Sequence, residues 1–395
     1  MKQVFQKLFK HPLIKGSAVV FAGSMAANVS AWLYHVLVGR ILGVERYGEL
    51  AALFSLLFIL NIPANVLQTV LVKFFSVYKA KNNLGQAKSL FLRVTRIILI
   101  GSLVGLTVLL PFLPFLGSFL HIPALSNFIW LYLVFASYII SVVNNSTLQG
   151  FQYFTEVSIY TNISMVLRLI FGTLLAFFGV GWTLIGNIVS NILGYGASFI
   201  PMRTLLATTE VPFEISTKKL VSYIIPTFLT LYGITALYTQ DVLLVKHFFT
   251  SSQAGLYASL SILGKVIYFA SSAVSFVLFP VIAERKELNR AHRGVVFGGV
   301  GIIAAVCIGI SLLYAIYPSI VTVLFGPTFS PAIPYLGMFS VFITFFSLSS
   351  ILINTLLALD AKLVWVVSLG AALLQLGLIV AYHGTLGQVI AANTA

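Results

Sequence analysis

The sequence predicts an all-helical membrane protein with about eleven complete transmembrane helices and a truncated twelfth. Three observations predict this fold class. Hydrophobic residues make up 59% of the chain and charged residues only 8%, the loops alternate between rich and poor in Lys and Arg, and the two halves of the chain resemble each other. Helices are expected because lipid offers no hydrogen-bond partner to an open strand edge.

Eleven apolar stretches are each about 20 residues or longer, enough for a helix to cross a hydrocarbon core about 30 Å thick. They cover residues 13–38, 48–72, 94–115, 127–148, 154–178, 182–205, 220–245, 254–280, 294–317, 334–358 and 363–383. The third, ninth and eleventh carry few polar residues, which is typical of helices that face lipid. From Leu386 about ten residues remain, a rise of only about 15 Å as a helix. We therefore expect either a twelfth helix that is cut short or an incomplete sequence.

The positions of the basic residues predict the orientation of the chain in the membrane. With the N-terminus in the cytoplasm, 18 of the 23 Lys and Arg residues lie on the inner side. Only Arg40, Arg46 and Lys246 lie outside, while Arg168 and Lys265 fall within spans. The positive-inside rule thus predicts a multi-pass protein of the cytoplasmic membrane. Inner loops that face anionic lipids account for the net charge of +14, so nucleic acid is not an expected partner.

The sequence gives no sign of a cofactor, a metal site or an enzymatic centre. Its one cysteine, Cys307, lies within a span, which excludes a disulfide framework and a CxxC pair. The glycines near residue 300 lack the Gly-Lys-Ser/Thr ending of a nucleotide-binding loop. The outer loops are short, and no pair of carboxylates is placed for general acid/base chemistry. A membrane glycan polymerase or ligase is therefore a less favoured interpretation.

An internal repeat predicts two six-helix bundles. At an offset of about 206 residues, 38–57 ("VGRILGVERYGELAALFSLL") aligns with 245–264 ("VKHFFTSSQAGLYASLSILG"). Both copies begin on the inner side, so they are parallel repeats related by an axis along the membrane normal. We predict an N-terminal bundle over 1–205, a cytoplasmic linker over 206–219 and a C-terminal bundle over 220–395.

Polar residues recur at helical spacing on several spans, and each row lies on a single helix face. A water-filled cavity between the two bundles would need a continuous polar row along a helix. The alternative is hydrogen bonding between packed helices, which would need only a few polar residues of each row. The candidate substrate-binding residues on these rows and near them are Asn28, Asn61, Asn65, Gln68, Gln240 and Tyr268. The longest row continues from Ser261 through Lys265 and Tyr268 to Ser272 and Ser275.

Two cations near the middle of spans, Arg168 and Lys265, are the sharper candidates for a substrate site. An unpartnered cation there costs at least about 2.5–3.5 kcal/mol, and Asp241 is taken as the one acid within a span. Either the two cations line an aqueous cavity that receives an anion, or they have structural partners.

Four further residues are candidates for a functional role. Arg40 and Lys246, at the outer ends of spans one and seven, either extend a basic track or anchor the chain at the interface. Asp241 and His35 can titrate and are candidates for ion coupling.

Two segments carry a family resemblance. "GRILGVERYGELAALFSLL" (39–57), followed by "LQTVLVKFF" (67–75), resembles the start of Wzx-type polysaccharide-biosynthesis flippases of the multidrug/oligosaccharidyl-lipid/polysaccharide exporter superfamily. There a Gly-Arg-x-Leu-Gly-x-x-x-Tyr-Gly run joins the first two spans. "DVLLVKHFFTSSQAGLYAS" (241–259) is similar to the Asp-x-x-Leu run and Gly-Leu-Tyr of the second half. The truncated twelfth helix departs from the family pattern.

The resemblance implies two six-helix bundles around a central cationic cavity, and alternating access for an undecaprenyl-pyrophosphate-linked oligosaccharide. Its partners would be that substrate, membrane lipids and glycan-assembly proteins. Arg and Lys would hold the pyrophosphate, since their donors suit phosphate oxygens. A multidrug extruder of the same superfamily is the alternative, although organic cations would call for intramembrane carboxylates. A silent scaffold for a glycan-assembly complex stays open.

Overall fold

The computed structural model describes residues 12–212, 217–287, 291, 293–358 and 363–395, and within these ranges the chain is helical with no β-strand. The helices of the N-terminal half are α1 (Pro12–Leu60), α2 (Ile62–Ala80), α3 (Leu84–Leu109), α4 (Leu113–Leu120), α5 (Ser126–Gly150), α6 (Phe154–Leu167), α7 (Thr173–Ala176), α8 (Val180–Ser198) and α9 (Arg203–Ala207). The others are α10 (Thr217–Leu237), α11 (Gln240–Phe248), α12 (Ser251–Glu287), α13 (Arg293–Ile316), α14 (Ile320–Phe325), α15 (Ile333–Ala358), α16 (Val364–Ala381) and α17 (Leu386–Thr394). Part of the predicted linker, 213–216, lies outside the described residues.

The helices confirm a multi-pass, all-helical membrane protein. Nine stretches of the described residues are long and apolar enough to cross a membrane, or ten when the bent pair Phe228–Leu237 and Gln240–Phe248 is taken as one span. One of the nine, Ala22–Ala80, is 59 residues long and combines α1 and α2. At a rise of about 1.5 Å per residue, that is far longer than one crossing requires.

The first predicted loop, 39–47, is almost entirely helical, which corrects the expectation. Helix α1 runs from Pro12 to Leu60, and only Gly43 has a non-helical conformation, with φ 73° and ψ 175°. Glycine reaches this region without the Cβ clash that other residues meet. A single glycine therefore interrupts the helix where the sequence predicts a longer loop. A second break follows at Asn61, where Pro63 lies in the first turn of α2 and can supply no N–H to a continuous helix.

The described residues form two compact units. The first unit comprises the chain up to Tyr34, Leu60–Ser118 and Pro123–Ile225, and the second comprises His35–Ile59, Phe119–Ile122 and Pro226–Ala395. Residues 35–59 and 119–122 thus belong to the second unit, whereas the sequence assigns them to the bundle over 1–205.

The first unit has a continuous core where α2, α3 and α5 pack together. It is built from Leu71, Phe75, Tyr78, Ala87, Leu90, Phe91, Ile98, Val143, Leu148, Phe151, Met202 and Leu205. The apolar residues of α2 and α3 fall at helical spacing, so each helix buries one face against α5.

In the second unit α12 is the central helix, packed by α13, α15 and α11. Its segment Ser251–Ser271 is 72% buried within the protein. The three spans predicted to face lipid are buried far less: 11% for Leu84–Leu120, 17% for Gly294–Ile316 and 28% for Val364–Ala381. The span Phe154–Ala176, which carries Arg168, is also only 11% buried, so the lipid-facing position of the three polar-poor spans stays a prediction.

Candidate functional site

Arg168 lies at the start of a π-helical turn, Arg168–Gly172, between α6 and α7 in the first unit. Its guanidinium carbon is 4.4 Å from the centroid of the Tyr34 ring. Tyr34 is fully buried, and its hydroxyl accepts a hydrogen bond of 2.9 Å from Asn187 Nδ2. A Cβ at Gly172 would collide with the same ring, so this glycine makes room for it. Arg168 is thus held on an aromatic face of its own unit, and its contact with substrate stays a prediction.

Asn65 and Gln68 hydrogen-bond to a neighbouring helix of the first unit. Asn65 Oδ1 accepts from the Tyr138 hydroxyl at 3.3 Å, and Gln68 Nε2 donates to Gln149 Oε1 at 3.4 Å. Both partners belong to α5. These two residues therefore act here as polar links between packed helices, the alternative that the sequence leaves open.

Asn61 and Asn28 have less defined surroundings in the first unit. Asn61 lies between α1 and α2, and its buried Oδ1 has no hydrogen-bond partner among the residues that the structure describes. A buried acceptor left without a partner costs about 1–3 kcal/mol. A substrate hydroxyl is one group that could satisfy it. Asn28 is half-buried on α1.

Lys265 lines a small cavity within the second unit. The cavity volume is about 10 Å³, room for about one water molecule. The polar side chains around it are Tyr47, Ser55, Ser261 and His35. The Nζ of Lys265 lies 4.9 Å from the centroid of the Phe58 ring. A pyrophosphate is much larger than this cavity, so substrate could reach Lys265 only if the surrounding helices moved apart.

Asp241 is fully buried in the first turn of α11 and bound by three donors. Its Oδ1 accepts from the Val242 backbone N–H at 2.9 Å, and its Oδ2 accepts from the Tyr257 hydroxyl at 2.7 Å and from Asn393 Nδ2 at 3.5 Å. The charge of Asp241 also acts on Lys265. A carboxylate at a helix N-terminus is favoured by the helix dipole. Asp241 and Lys265 are therefore electrostatically linked within one unit.

A chain of amide side chains extends this cluster to two further helices. Gln240 Nε2 donates to Gln375 Oε1 at 2.6 Å and to the Ala372 carbonyl at 2.8 Å. Gln375 Nε2 in turn donates to Asn393 Oδ1 at 2.9 Å and to the Leu237 carbonyl at 3.0 Å. We call Gln240, Asp241, Tyr257, Gln375 and Asn393 the acid cluster. It joins α11, α12, α16 and α17 through hydrogen bonds in an apolar surrounding.

Lys246 and Arg40, the candidates at the outer ends of spans, are placed differently. Lys246 is fully buried and donates to Ser251 Oγ at 2.6 Å, and the charge of Glu49 acts on it. Arg40 is exposed. Glu45 and Glu49 lie inside the stretch Ala22–Ala80 and Glu156 lies inside Phe154–Ala176, which corrects the expectation that Asp241 is the one acid within a span. Lys246 is thus buried beside half-buried partners, Ser251 and Glu49, and does not extend an exposed basic track here.

Tyr268 and His35 both lie in aromatic surroundings of the second unit. The Tyr268 ring is stacked on Tyr238 at 5.9 Å between centroids and lies 5.2 Å from the ring of Phe346. The Nδ1 of His35 is 3.4 Å from the Tyr47 hydroxyl. The side chains of Ser272 and Ser275, which continue the row on α12, lie outside the described residues.

The sequence does not single out four residues that the structure brings to these sites: Glu49, Tyr257, Gln375 and Asn393. Tyr257 belongs to the Gly-Leu-Tyr run, so the motif carried a signal for it. Gln375 is the one strongly polar side chain in the run "VWVVSLGAALLQLGLIVA", and that isolation was also a usable signal. Within the described part of the chain, no group of three or more His, Cys, Asp or Glu side chains is arranged to hold a metal ion.

The family of the chain follows from its sequence match. The profile of the family described as "Polysaccharide biosynthesis protein" matches residues 37–334. This chain belongs to that family. The matched range contains both segments that carry the resemblance to polysaccharide-biosynthesis flippases. Among curated relatives of this chain is an uncharacterized membrane protein of Methanocaldococcus jannaschii, 23% identical over 304 residues that cover 72% of this chain and 71% of the relative.

Superposition on solved structures of other proteins shows the fold of this chain. An inward-facing multidrug resistance MATE family transporter of the MOP superfamily superposes with a TM-score of 0.76 at 12% identity, over 96% of this chain and 94% of that one. The lipid II flippase MurJ, in an inward closed conformation, superposes with a TM-score of 0.75 at 15% identity, over 95% of this chain and 84% of that one. This chain therefore has the fold that MATE transporters share with MurJ.

Proposed function

We propose that this protein is a flippase that moves a polyprenyl-pyrophosphate-linked oligosaccharide across the cytoplasmic membrane during surface polysaccharide assembly. Membership of the polysaccharide biosynthesis family supports the glycan pathway. The fold shared with a lipid II flippase and with MATE transporters supports translocation rather than catalysis. In this proposal the N-terminus is cytoplasmic and the partners are the lipid-linked substrate, membrane lipids and glycan-assembly proteins.

The observation that carries the proposal is Lys265, a cation on a transmembrane helix that borders a polar cavity. Crossing the hydrocarbon core is prohibitive for a pyrophosphate and sugar hydroxyls that lack a polar path. Lys265 and Arg168 supply positive charge for the phosphates, and the amide oxygens of Asn61 and Gln240 accept hydrogen bonds from sugar hydroxyls. The polyprenyl chain stays in lipid throughout.

We further propose that movement and coupling follow the predicted organisation of the chain. The bundles over 1–205 and 220–395 move about the linker over 206–219, which exposes the cavity to each side in turn. Asp241 is the coupling group, because it is a buried carboxylate whose charge acts on Lys265. A proton or cation that neutralised Asp241 would free Lys265 to bind an anion. His35, which borders the same cavity, is the second titrating group.

Complementation of a strain that lacks its surface-glycan flippase tests the proposal. We expect Lys265→Ala and Arg168→Ala to reduce surface glycan at least tenfold, and the exposed Arg46→Ala to leave it near normal. Lys265→Arg, which keeps the charge, should restore most of the export. Immunoblotting of membrane fractions controls for the amount of each variant. Equal glycan export by Lys265→Ala and Arg46→Ala, at equal amounts of protein, would refute the role of Lys265.

The similarity to MATE transporters favours one alternative, the export of organic cations. The same strains distinguish it through their sensitivity to cationic dyes. A multidrug extruder would raise dye resistance without restoring glycan, and Asp241→Asn would abolish that resistance. Restored glycan with unchanged dye sensitivity supports the flippase.

A further inference from the structure

The first unit carries a polar groove beside the N-terminal half of α3, away from the candidate substrate residues. The groove has a volume of about 630 Å³. Its polar lining comes from Ser89, Arg93, Thr95, Arg96 and Glu210. Apolar walls come from Leu92 and Leu99. We call it the α3 groove.

One wall of the α3 groove is a segment that follows α9 and folds back on the start of α3. Lys88 Nζ donates to the Thr208 carbonyl at 2.8 Å, and the Val211 backbone N–H donates to the Gly85 carbonyl at 3.3 Å. A Cβ at Gly85 would lie 2.6 Å from Val211 Cγ2, so glycine lets the two segments meet. The groove is therefore a built feature with a fixed wall.

The charged lining suits a phosphate group. Ser89, Arg93 and Arg96 follow one another at i, i+4 and i+7 and so share one face of α3. Both arginines are exposed, and a guanidinium presents paired donors that match the oxygens of a phosphate. Glu210 offsets one of the two positive charges, so the groove keeps a net charge of +1.

The apolar side of the groove favours a phosphate that belongs to a lipid. Leu99 is 47% exposed and Leu103, one turn further along α3, is 69% exposed. Only 11% of the apolar window of Leu84–Leu120 is buried, so this face of the helix is open to lipid. A free phosphate would use only the arginine end of so large a groove. Basic residues at a membrane surface also attract anionic headgroups, by about 1 kcal/mol each.

We propose that the α3 groove binds the phosphate headgroup of an anionic phospholipid, with the acyl chains along the face formed by Leu99 and Leu103. This lipid is a resident of the leaflet that borders the basic end of α3. It is not the transported substrate, and the proposal stands whether or not the protein is a flippase.

Native mass spectrometry of the purified full chain tests the proposal. The protein is released from nanodiscs that contain equal amounts of phosphatidylglycerol and phosphatidylcholine, and bound lipids are counted. We expect one retained phosphatidylglycerol on the unmodified protein. The double variant Arg93→Gln/Arg96→Gln should weaken its apparent affinity about tenfold, and Glu210→Gln should strengthen it about threefold. Lys81→Gln, which removes an exposed basic residue outside the groove, is the matched control and should change nothing.

The two variants are expected to shift the affinity for phosphatidylglycerol in opposite directions. If the double arginine variant fails to fold, the affinity of Glu210→Gln still tests the proposal. Unchanged phosphatidylglycerol retention in either variant overturns the proposal. Inorganic phosphate is added in a separate series. Displacement of the lipid by millimolar phosphate would assign the site to a soluble anion and overturn it as well, whereas retention supports a lipid ligand. If Lys81→Gln loses as much phosphatidylglycerol as the arginine variant does, the lipid is held by non-specific surface attraction and the proposal is overturned.

Discussion

Replacing Tyr257 by Phe removes one hydroxyl from the acid cluster and leaves the ring in place. That hydroxyl donates to Asp241 Oδ2 at 2.7 Å and accepts from Asn393 Nδ2 at 2.7 Å. Tyr257 and Asp241 are both fully buried, so water cannot take over the lost bonds. The variant thus removes two short hydrogen bonds and leaves a buried carboxylate with its weaker donors.

The expected cost follows from these two bonds. A hydrogen bond to a charged group contributes about 1.5–3 kcal/mol in soluble proteins, whereas side-chain bonds in membrane helices average about 0.6 and reach about 1.7 kcal/mol. We expect Tyr257→Phe to lower the free energy of unfolding by about 2 kcal/mol, near the sum of one strong and one average membrane bond. Equilibrium unfolding by sodium dodecyl sulfate in mixed micelles, followed by circular dichroism, measures this quantity.

Tyr268→Phe is the matched control on the same helix. The Tyr268 ring is stacked on Tyr238, and Tyr268 is not a member of the acid cluster. Its removal should cost less than about 0.5 kcal/mol. If Tyr257→Phe and Tyr268→Phe destabilise the protein equally, the hydroxyl of Tyr257 does not hold Asp241 and the reasoning fails.

Two further predictions concern close packing and buried charge in the second unit. Gly255→Val should prevent folding, because any Cβ there would overlap the carbonyl oxygen of Val44. The yield of monodisperse protein measures this effect. Gly298→Val is the control and should express normally, because a Cβ at Gly298 meets open space. Lys246→Met should destabilise the protein by about 1 kcal/mol, because it removes one of the two cations, Lys246 and Arg46, whose charges act on the partly buried Glu49. The double variant Lys246→Met/Glu49→Gln should recover part of that loss in the same unfolding assay, and no recovery would show that the two charges are not coupled.

The all-helical, multi-pass character could be predicted from the sequence because long apolar runs are stable in lipid, whereas the count of about eleven spans compares with nine or ten among the described residues. The same reasoning overestimated the loop at 39–47, since only Gly43 leaves the helical conformation. Helices of a membrane protein can continue past the hydrocarbon core when their outer residues pack on protein. Length and hydropathy alone do not reveal where such a helix ends.

The acid cluster could be predicted only in part, and the reason is physical. Asp241 and Gln240 stand out as polar residues near a span, but their partners are far along the chain. The break after Leu237 leaves a backbone carbonyl without its helical donor, and lipid provides no substitute. Gln375 donates to that carbonyl at 3.0 Å from a position 138 residues away. A polar residue in an apolar helix thus signals that a partner exists, whereas the identity of the partner depends on the tertiary fold.

The contact between Gly48 and Gly255 links the internal repeat to the packing of the second unit. Alignment of 38–57 with 245–264 pairs these two glycines, and a Cβ on Gly48 would lie 2.7 Å from the Gly255 backbone nitrogen. Both glycines are tightly enclosed, since a Cβ on Gly255 would in turn overlap the Val44 carbonyl oxygen. A side chain at either position must therefore displace backbone atoms. We expect Gly48→Val to reduce the yield of folded protein as strongly as Gly255→Val does, and normal folding of Gly48→Val would show that the backbone at this contact can move apart.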